Sequence, residues 1–196
     1  MPLKETTRGS SEIPAEILLV EDNPADVRLM QEAFREVGGG AAPGDSHKAS
    51  GGSRKLPGDA PKLNVARNGP QALAFLRREA PYLASPRPAL ILLDLNLPGA
   101  DGTELLAEIK KDRGLRQIPV IVLSTSTRAE DIARAYDLHA NCYISKPRDL
   151  ESLVEAVRSI EAFWLGMAAI PDPAPRPRPT ALASRISVLD QEHWRK

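Results

Sequence analysis

Five short apolar runs recur along the chain, and segments with a different spacing of apolar residues lie between them. The runs are Ile17–Val20, Leu63–Ala66, Leu90–Leu93, Val120–Leu123 and Cys142–Ile144. Three of them are continuously apolar rather than alternating, which is typical of strands buried on both faces of a parallel sheet. The pattern therefore predicts five strands.

Each intervening segment places apolar residues three or four positions apart, with charged residues opposite them, as in an amphipathic helix. Asn23 is in position to cap the first helix, and Asp101 and Glu104 have the spacing of a capping box before the third. Strands that alternate with helices predict an α/β fold in which a parallel sheet is covered on both faces. The predicted helices are Ala25–Val37, Pro70–Arg78, Gly102–Lys111, Arg128–Asp137 and Asp149–Phe163.

Two stretches lack apolar periodicity and divide the chain. Gly38–Pro61 is rich in Gly, Ser, Pro and Ala, and Pro171–Pro179 is a Pro-rich connector. Such compositions favour flexible or extended chain. We expect a disordered segment over 1–15, one folded domain over 16–163 with a flexible insertion at 38–61, and a Pro-rich tail over 164–196 with room for a short helix.

Composition narrows the class of protein. The 196 residues carry 26 Lys and Arg against 26 Asp and Glu, so net charge gives no general attraction to nucleic acid or to an anionic membrane. Cys142 is the only cysteine, which excludes an intrachain disulfide and favours the cytoplasm. The amino terminus lacks the apolar core of a signal peptide, and no apolar run is long enough to span a bilayer.

The polar residues that follow the predicted strands carry the candidate chemistry. In a parallel sheet, ligands bind beyond the carboxyl ends of the strands, so these residues are expected to share one edge. Following the first, third, fourth and fifth strands are, respectively, Glu21 and Asp22, Asp94 and Asn96, Ser124 to Ser126, and Lys146 with Pro147.

Each of these residue types has a use in phosphoryl transfer. Clustered carboxylates repel one another unless a cation joins them, and hard oxygen ligands suit Mg²⁺. An aspartate such as Asp94 can act as a nucleophile and form an acyl phosphate. Lys146 could then hold a phosphoryl oxygen while the Ser124 hydroxyl donates to another. The set predicts phosphoryl transfer to Asp94 by positioning and electrostatics.

Together these residues resemble the receiver domain of a two-component response regulator over residues 16–163. The motifs are ED after ILLV, LILLDLNLPGADG, PVIVLSTS and YISKP. The resemblance implies a five-stranded doubly wound, flavodoxin-like sheet. Carried over position by position, it implies that Asp94 is the phosphoacceptor and that Asp22, Asp94 and the carbonyl of Asn96 bind Mg²⁺, with Glu21 acting through water. It also implies that Ser124 and Tyr143 form a switch pair. Lys146 is implied to contact the phosphoryl group, and its bond to Pro147 to be cis.

A narrower resemblance concerns the partners. The stretches EDNPADVRLMQEAF and IEAFWLGMAAIP are similar to single-domain receivers that serve bacterial phytochromes, the light-sensing histidine kinases. Phe163, Trp164 and Leu165 are three adjacent large apolar residues, which cannot all face one core, so we expect them to contact a partner in a homodimer. The chain after Phe163 is too short for a DNA-binding winged helix, so we expect no DNA partner.

Two other functions remain open at this stage. A phosphatase of the haloacid dehalogenase kind also uses a strand-end aspartate, but it normally carries a second Asp two residues later, where this chain has Asn96. An amide cannot perform that proton transfer. A receiver fold that acts as a phosphate-independent scaffold is the other. We expect no turnover of external substrates, only catalysis of the protein's own phosphorylation and dephosphorylation.

Overall fold

The structure is a computed structural model that describes residues 15–38, 61–97 and 102–171. Its five strands are β1 (Glu16–Val20), β2 (Lys62–Ala66), β3 (Leu90–Asp94), β4 (Val120–Ser124) and β5 (Cys142–Ser145). Its helices are α1 (Pro24–Gly38), α2 (Gly69–Arg77), α3 (Gly102–Lys111), α4 (Ala129–Asp137) and α5 (Leu150–Ile160), followed by a π-helical turn at Glu161–Leu165. Every predicted strand and helix is confirmed, with ends that shift by one or two residues, except that the last helix changes to a π-helical turn after Ile160.

All five strands pair in parallel in the order β2-β1-β3-β4-β5. From β1 the chain passes through α1 to β2 at one edge of the sheet, and then through α2 to β3 on the other side of β1. The direction in which strands are added therefore reverses between β1 and β3. The carboxyl ends of these two strands therefore flank the switch point at which doubly wound sheets bind ligands. The predicted doubly wound sheet is confirmed.

Two apolar cores lie on opposite faces of the sheet, because successive side chains along a strand point in opposite directions. Leu18 and Val20 of β1 contact the core beneath α2, α3 and α4, whereas Ile17 and Leu19 contact the core beneath α1 and α5. All of β3 and β4 is buried. Burial of each of these Leu and Ile side chains contributes about 1.5–3 kcal/mol, which makes the central strands a rigid support for the residues that follow them.

Local signals explain where the helices begin. The Asn23 side chain accepts a hydrogen bond from the backbone N–H of Ala25 at 2.9 Å, which confirms it as the cap of α1. The α2 and α5 caps are Asn68 and Asp149, whose side chains accept from Gln71 and Ser152. The predicted capping residue Asp101 lies outside the described residues.

The boundaries expected for the flexible segments are only partly within the described residues. Gly38 ends α1 and Pro61 directly precedes β2, whereas the rest of the expected insertion, 39–60, lies outside the described part, as do 1–14 and 172–196. At the other end, the packed part of the chain extends beyond residue 163. Trp164 and Leu165 are half-buried against the core beneath α1 and α5. Within the described ranges, no helix combines the length and hydropathy that a bilayer-spanning segment needs.

Glu161 is a buried acid at the start of the π-helical turn. Its side chain is only 2% exposed, and among the described residues its Oε1 has no hydrogen-bond partner. Burial raises the pKa of this carboxyl from 4.5 to about 7, because the charged form loses its hydration. The native state therefore binds this proton in a range of pH where the unfolded chain has released it.

Substitution Glu161→Gln should reveal this in the pH dependence of stability. As the pH rises from 4.5 to about 7, the free energy of unfolding of the wild type should fall relative to that of the variant by about 3 kcal/mol, and above this range the difference should level off. Urea unfolding at several pH values measures it. The control is Glu155→Gln, an exposed acid on α5, for which the difference should stay flat; a flat profile for Glu161→Gln as well would contradict the prediction.

Candidate functional site

The predicted strand-end residues converge at the carboxyl edge of the sheet. Glu21 and Asp22 follow β1, and Asp94 is the last residue of β3. One oxygen from each of these three carboxylates lies within 4.8 Å of the others, and both Glu21 and Asp94 are buried. Because like charges at this distance repel in a partly desolvated site, the cluster needs a cation.

Lys146, just after β5, supplies one cation. Its Nζ donates to Asp94 Oδ2 at 2.7 Å, to Glu21 Oε2 at 2.6 Å and to Asp26 Oδ2 at 2.9 Å. Lys146, which is predicted to contact the phosphoryl group, therefore lies directly beside Asp94. Asp26, in the first turn of α1, is a member of the site that sequence reasoning missed. The available signal was its position, one helical turn after Asp22, but an acid there is also explained by the helix dipole.

The charges in this cluster shift the affinities of its groups for protons. Partial burial alone would lower the pKa of the Lys146 ammonium, but hydrogen bonds to Asp94, Glu21 and Asp26 outweigh it and hold the pKa above its usual range. Burial raises the pKa of Glu21 despite the opposing hydrogen bond from Lys146. Lys146 thus stays charged and can attract an anionic group. The carboxylates beside it can attract a further cation.

The oxygens of Asp94 are held in a defined orientation. Oδ1 accepts from the backbone N–H of Asn96 at 2.9 Å, while Oδ2 faces Lys146. The Asn96 side-chain amide donates to Thr125 Oγ1 at 3.3 Å. Asn96 therefore stabilises the loop around Asp94 and offers no second carboxyl for acid–base chemistry.

The predicted cis bond between Lys146 and Pro147 is wrong. Among the described residues the only cis peptide bond joins Ala80 and Pro81. The trans form is the ordinary one for an X–Pro bond. Here the backbone N–H of Lys146 donates to the carbonyl of Ser124 at 2.8 Å, so the lysine reaches the site with the trans bond in place.

The predicted switch residues lie on the β4 and β5 side of the site. Ser124 is 1% exposed, and its Oγ accepts from the backbone N–H of Ser126 at 3.2 Å. The Tyr143 hydroxyl donates to the carbonyl of Ser126 at 2.9 Å. Ser126 Oγ also donates to Asp131 of α4 at 2.5 Å and accepts from the Arg128 N–H, so it anchors the start of this helix. A cavity of about 130 Å³ lies beside Ser124 and Ser126.

Of the three expected dimer-contact residues, the structure exposes one. Phe163 is 51% exposed, and Met167, four residues later, is 79% exposed. Trp164 and Leu165 instead pack against the core beneath α1 and α5. The rings of Phe163 and Trp164 meet edge to face with centroids 5.1 Å apart. The exposed apolar surface is thus formed by Phe163 and Met167.

The arrangement places three carboxylates that could hold a metal ion, together with one lysine, at the carboxyl edge of a doubly wound sheet. A family model for the response regulator receiver domain matches residues 54–158. Response regulator Rcp1 from Synechocystis sp. is 44% identical over 158 residues, which cover 81% of this chain and 94% of that protein. The chain belongs to the response regulator receiver-domain family.

Two solved structures are similar to this chain over nearly the whole of theirs. The phosphorylated cyanobacterial phytochrome response regulator RcpA is 44% identical to this chain, and its structure matches with a TM-score of 0.67. The match covers 82% of this chain and 100% of RcpA. The structure of the Mn²⁺-bound form of Rcp1 shares 43% identity with a TM-score of 0.64, and it covers 81% and 100%. The carboxylate cluster of this chain is chemically suited to hold a metal ion of that kind.

Gly102 gives the site a close contact that a larger residue would break. A Cβ at this first residue of α3 would lie 2.6 Å from the backbone oxygen of Asp94 and 2.5 Å from Cα of Leu95. The backbone N–H of Gly102 donates to the carbonyl of Leu95 at 3.1 Å. The helix start is therefore packed directly against the backbone that carries Asp94.

Substitution Gly102→Ala should destabilise the domain by about 3 kcal/mol, because backbone atoms must move to admit the methyl group. Gly114→Ala is the matched control: its Cβ would approach only the Asp112 side chain, at 3.3 Å, and the cost should stay below about 1 kcal/mol. Thermal and urea unfolding measure both. Equal stabilities of the two variants would show that the contact at Gly102 relaxes freely.

Proposed function

We propose that the protein is a signalling switch that accepts a phosphoryl group on Asp94 from a sensor histidine kinase in a two-component or phosphorelay pathway. The observation that carries this proposal is the contact of Lys146 Nζ with Asp94 Oδ2, 2.7 Å long, beside a cluster of carboxylates that needs a further cation. The proposed cation is Mg²⁺. When bound, it neutralises charge on the carboxylates and on phosphoryl oxygens.

The residues of the chain have separate parts in the proposed reaction. An oxygen of Asp94 attacks phosphorus as the bond from phosphorus to the donor breaks. Asp22, Asp94 and the Asn96 carbonyl hold the cation, with Glu21 acting through water. The Asn96 N–H orients the Asp94 carboxylate, and the Lys146 ammonium donates to a phosphoryl oxygen. Catalysis is thus positioning and electrostatic stabilisation, and it acts only on the protein's own phosphorylation and dephosphorylation.

The proposed output is a change of surface near α4 and β5. The Ser124 hydroxyl would turn toward a phosphoryl oxygen, and its present contact with the Ser126 N–H would be lost. Because the Tyr143 hydroxyl donates to the Ser126 carbonyl, a shift of Ser126 toward the cavity that it lines would change the position of the Tyr143 side chain. The signal would pass to a protein partner, with no DNA contact and in the cytoplasm.

The proposed kinase is a bacterial phytochrome. Identity of 44% to RcpA, which is named as a cyanobacterial phytochrome response regulator, over 82% of the chain supports this assignment. The alternatives fit the site less well: a phosphatase lacks its second aspartate, since Asn96 occupies that place, and a phosphate-independent scaffold leaves the buried cluster around Lys146 without a use.

Incubation with acetyl phosphate and Mg²⁺ tests the chemistry. Mass spectrometry should find one phosphoryl group on the wild type and on Asp137→Asn, in which an exposed acid of α4 is changed, and none on Asp94→Asn, because an amide is not a nucleophile for this transfer. An adduct that survives Asp94→Asn would sink the proposal, and steady hydrolysis of phosphate esters would favour a phosphatase. With a phosphorylated bacterial phytochrome as donor, transfer should outpace that from a chemotaxis kinase.

The exposed residues Phe163 and Met167, which are joined by a backbone hydrogen bond, support a homodimer, since exposed large apolar side chains near one another are typical of an interface. We expect light scattering at micromolar concentration to give the dimer mass for the wild type and the monomer mass for Phe163→Ser. The control is Leu83→Ser, which removes an even more exposed apolar residue from the loop after α2 and should remain dimeric. A monomeric wild type would refute the dimer.

A further inference from the structure

Asp26 contacts the lysine of the site without belonging to its metal-binding group. Its Oδ2 lies 2.9 Å from Lys146 Nζ, on the first turn of α1. Among the described residues, the acids close enough together to share a metal ion are Glu21, Asp22 and Asp94 only. Asp26 is therefore a partner of the ammonium that does not also belong to the metal-binding group.

The other two partners of Lys146, Glu21 and Asp94, could also bind a metal ion. Glu21 and Asp94 both belong to the metal-binding group, and each also accepts a hydrogen bond from Lys146 Nζ, at 2.6 and 2.7 Å. Carboxylates engaged by a divalent cation attract an ammonium less, and the ammonium is itself repelled by that added charge. Both contacts therefore weaken under the conditions in which the site works, whereas the contact with Asp26 does not.

We infer that Asp26 is the positioning residue that keeps the Lys146 ammonium beside Asp94 once Glu21 and Asp94 are engaged by a divalent cation. This inference rests on the proposed function. It assigns a role in the reaction to a carboxylate that neither holds the cation nor receives the phosphoryl group.

The structure gives Asp26 the rigidity that this role requires. It belongs to a capped helical turn, in which Asn23 Oδ1 accepts from the Ala25 N–H at 2.9 Å while Asn23 Nδ2 lies 3.3 Å from Asp26 Oδ1. Lys146, in contrast, has a long and flexible side chain, of which 14% is exposed in its present position. Without an anchor such a side chain gains rotamer entropy by turning to solvent.

The direct test observes the Lys146 ammonium by NMR in protein with ¹⁵N-labelled lysine. In metal-free wild type and in Asp26→Asn the signal should be protected from water, because Glu21 and Asp94 still hold it. With saturating Mg²⁺ the wild type should keep the signal and Asp26→Asn should lose it through exchange. Glu32→Gln, which removes an exposed acid from the same helix, should behave as the wild type.

Phosphorylation by acetyl phosphate provides the second readout. Asp26→Asn should label Asp94 about tenfold more slowly than the wild type at saturating Mg²⁺, because a misplaced donor weakens the stabilisation of the transferring group. Asp26→Glu retains the charge and should recover most of the rate, which a purely structural role would not predict. Asp26→Ser replaces Asp26→Asn if the latter does not fold.

An Mg²⁺-loaded signal that survives in both charge-removing variants would overturn the inference, as would a rate that is unchanged or faster in them. A faster rate would mean that Asp26 competes with the phosphoryl group for Lys146. Failure of the proposed function is distinguishable, since it appears as the absence of an adduct on the wild type, and the NMR comparison still decides the role of Asp26.

Discussion

The contact of one ammonium with three carboxylates connects parts of this domain that are far apart in the sequence. Lys146 follows β5, whereas Glu21, Asp26 and Asp94 follow or lie near β1 and β3, up to 125 residues away. Burying carboxylates without a partner costs several kcal/mol, so these acids can be buried at the carboxyl edge of the sheet only if the lysine lies beside them. Because Glu21 and Asp94 also belong to the group that could hold a metal ion, the contacts that compensate their charge can be exchanged for others.

The fold could be predicted from the sequence because two independent patterns agree. Continuous apolar runs required strands buried on both faces, and the stripes between them required helices to cover those faces. The carboxyl ends then had to meet, so Asp94 and Lys146 could be placed together before any distance was known. The family model begins at residue 54, after β1 and α1, so the association of Glu21 and Asp22 with that edge depends on the sheet rather than on this match.

Other features could not be predicted, for physical reasons. Asp26 in the first turn of a helix is fully explained by the dipole, and only the reach of Lys146 makes it part of the site. The isomer of the Lys146–Pro147 bond depends on tertiary contacts, not on the dipeptide. The π-helical turn has no known signature in EAFWL, yet it decides that Trp164 and Leu165 face the core while Phe163 remains exposed.

Ser126 connects the site to the surface of the domain. Its N–H donates to Ser124 Oγ, its carbonyl accepts from Tyr143 and its hydroxyl donates to Asp131, so β4, β5 and α4 share one residue. A hydroxyl that leaves the Ser126 N–H for a phosphoryl oxygen frees a partly buried donor, and the least costly response is a shift of this backbone. In the proposed switch, that shift is transmitted to Tyr143 through the carbonyl of the same residue. The coupling then needs no long chain of contacts, because one peptide segment already touches both ends.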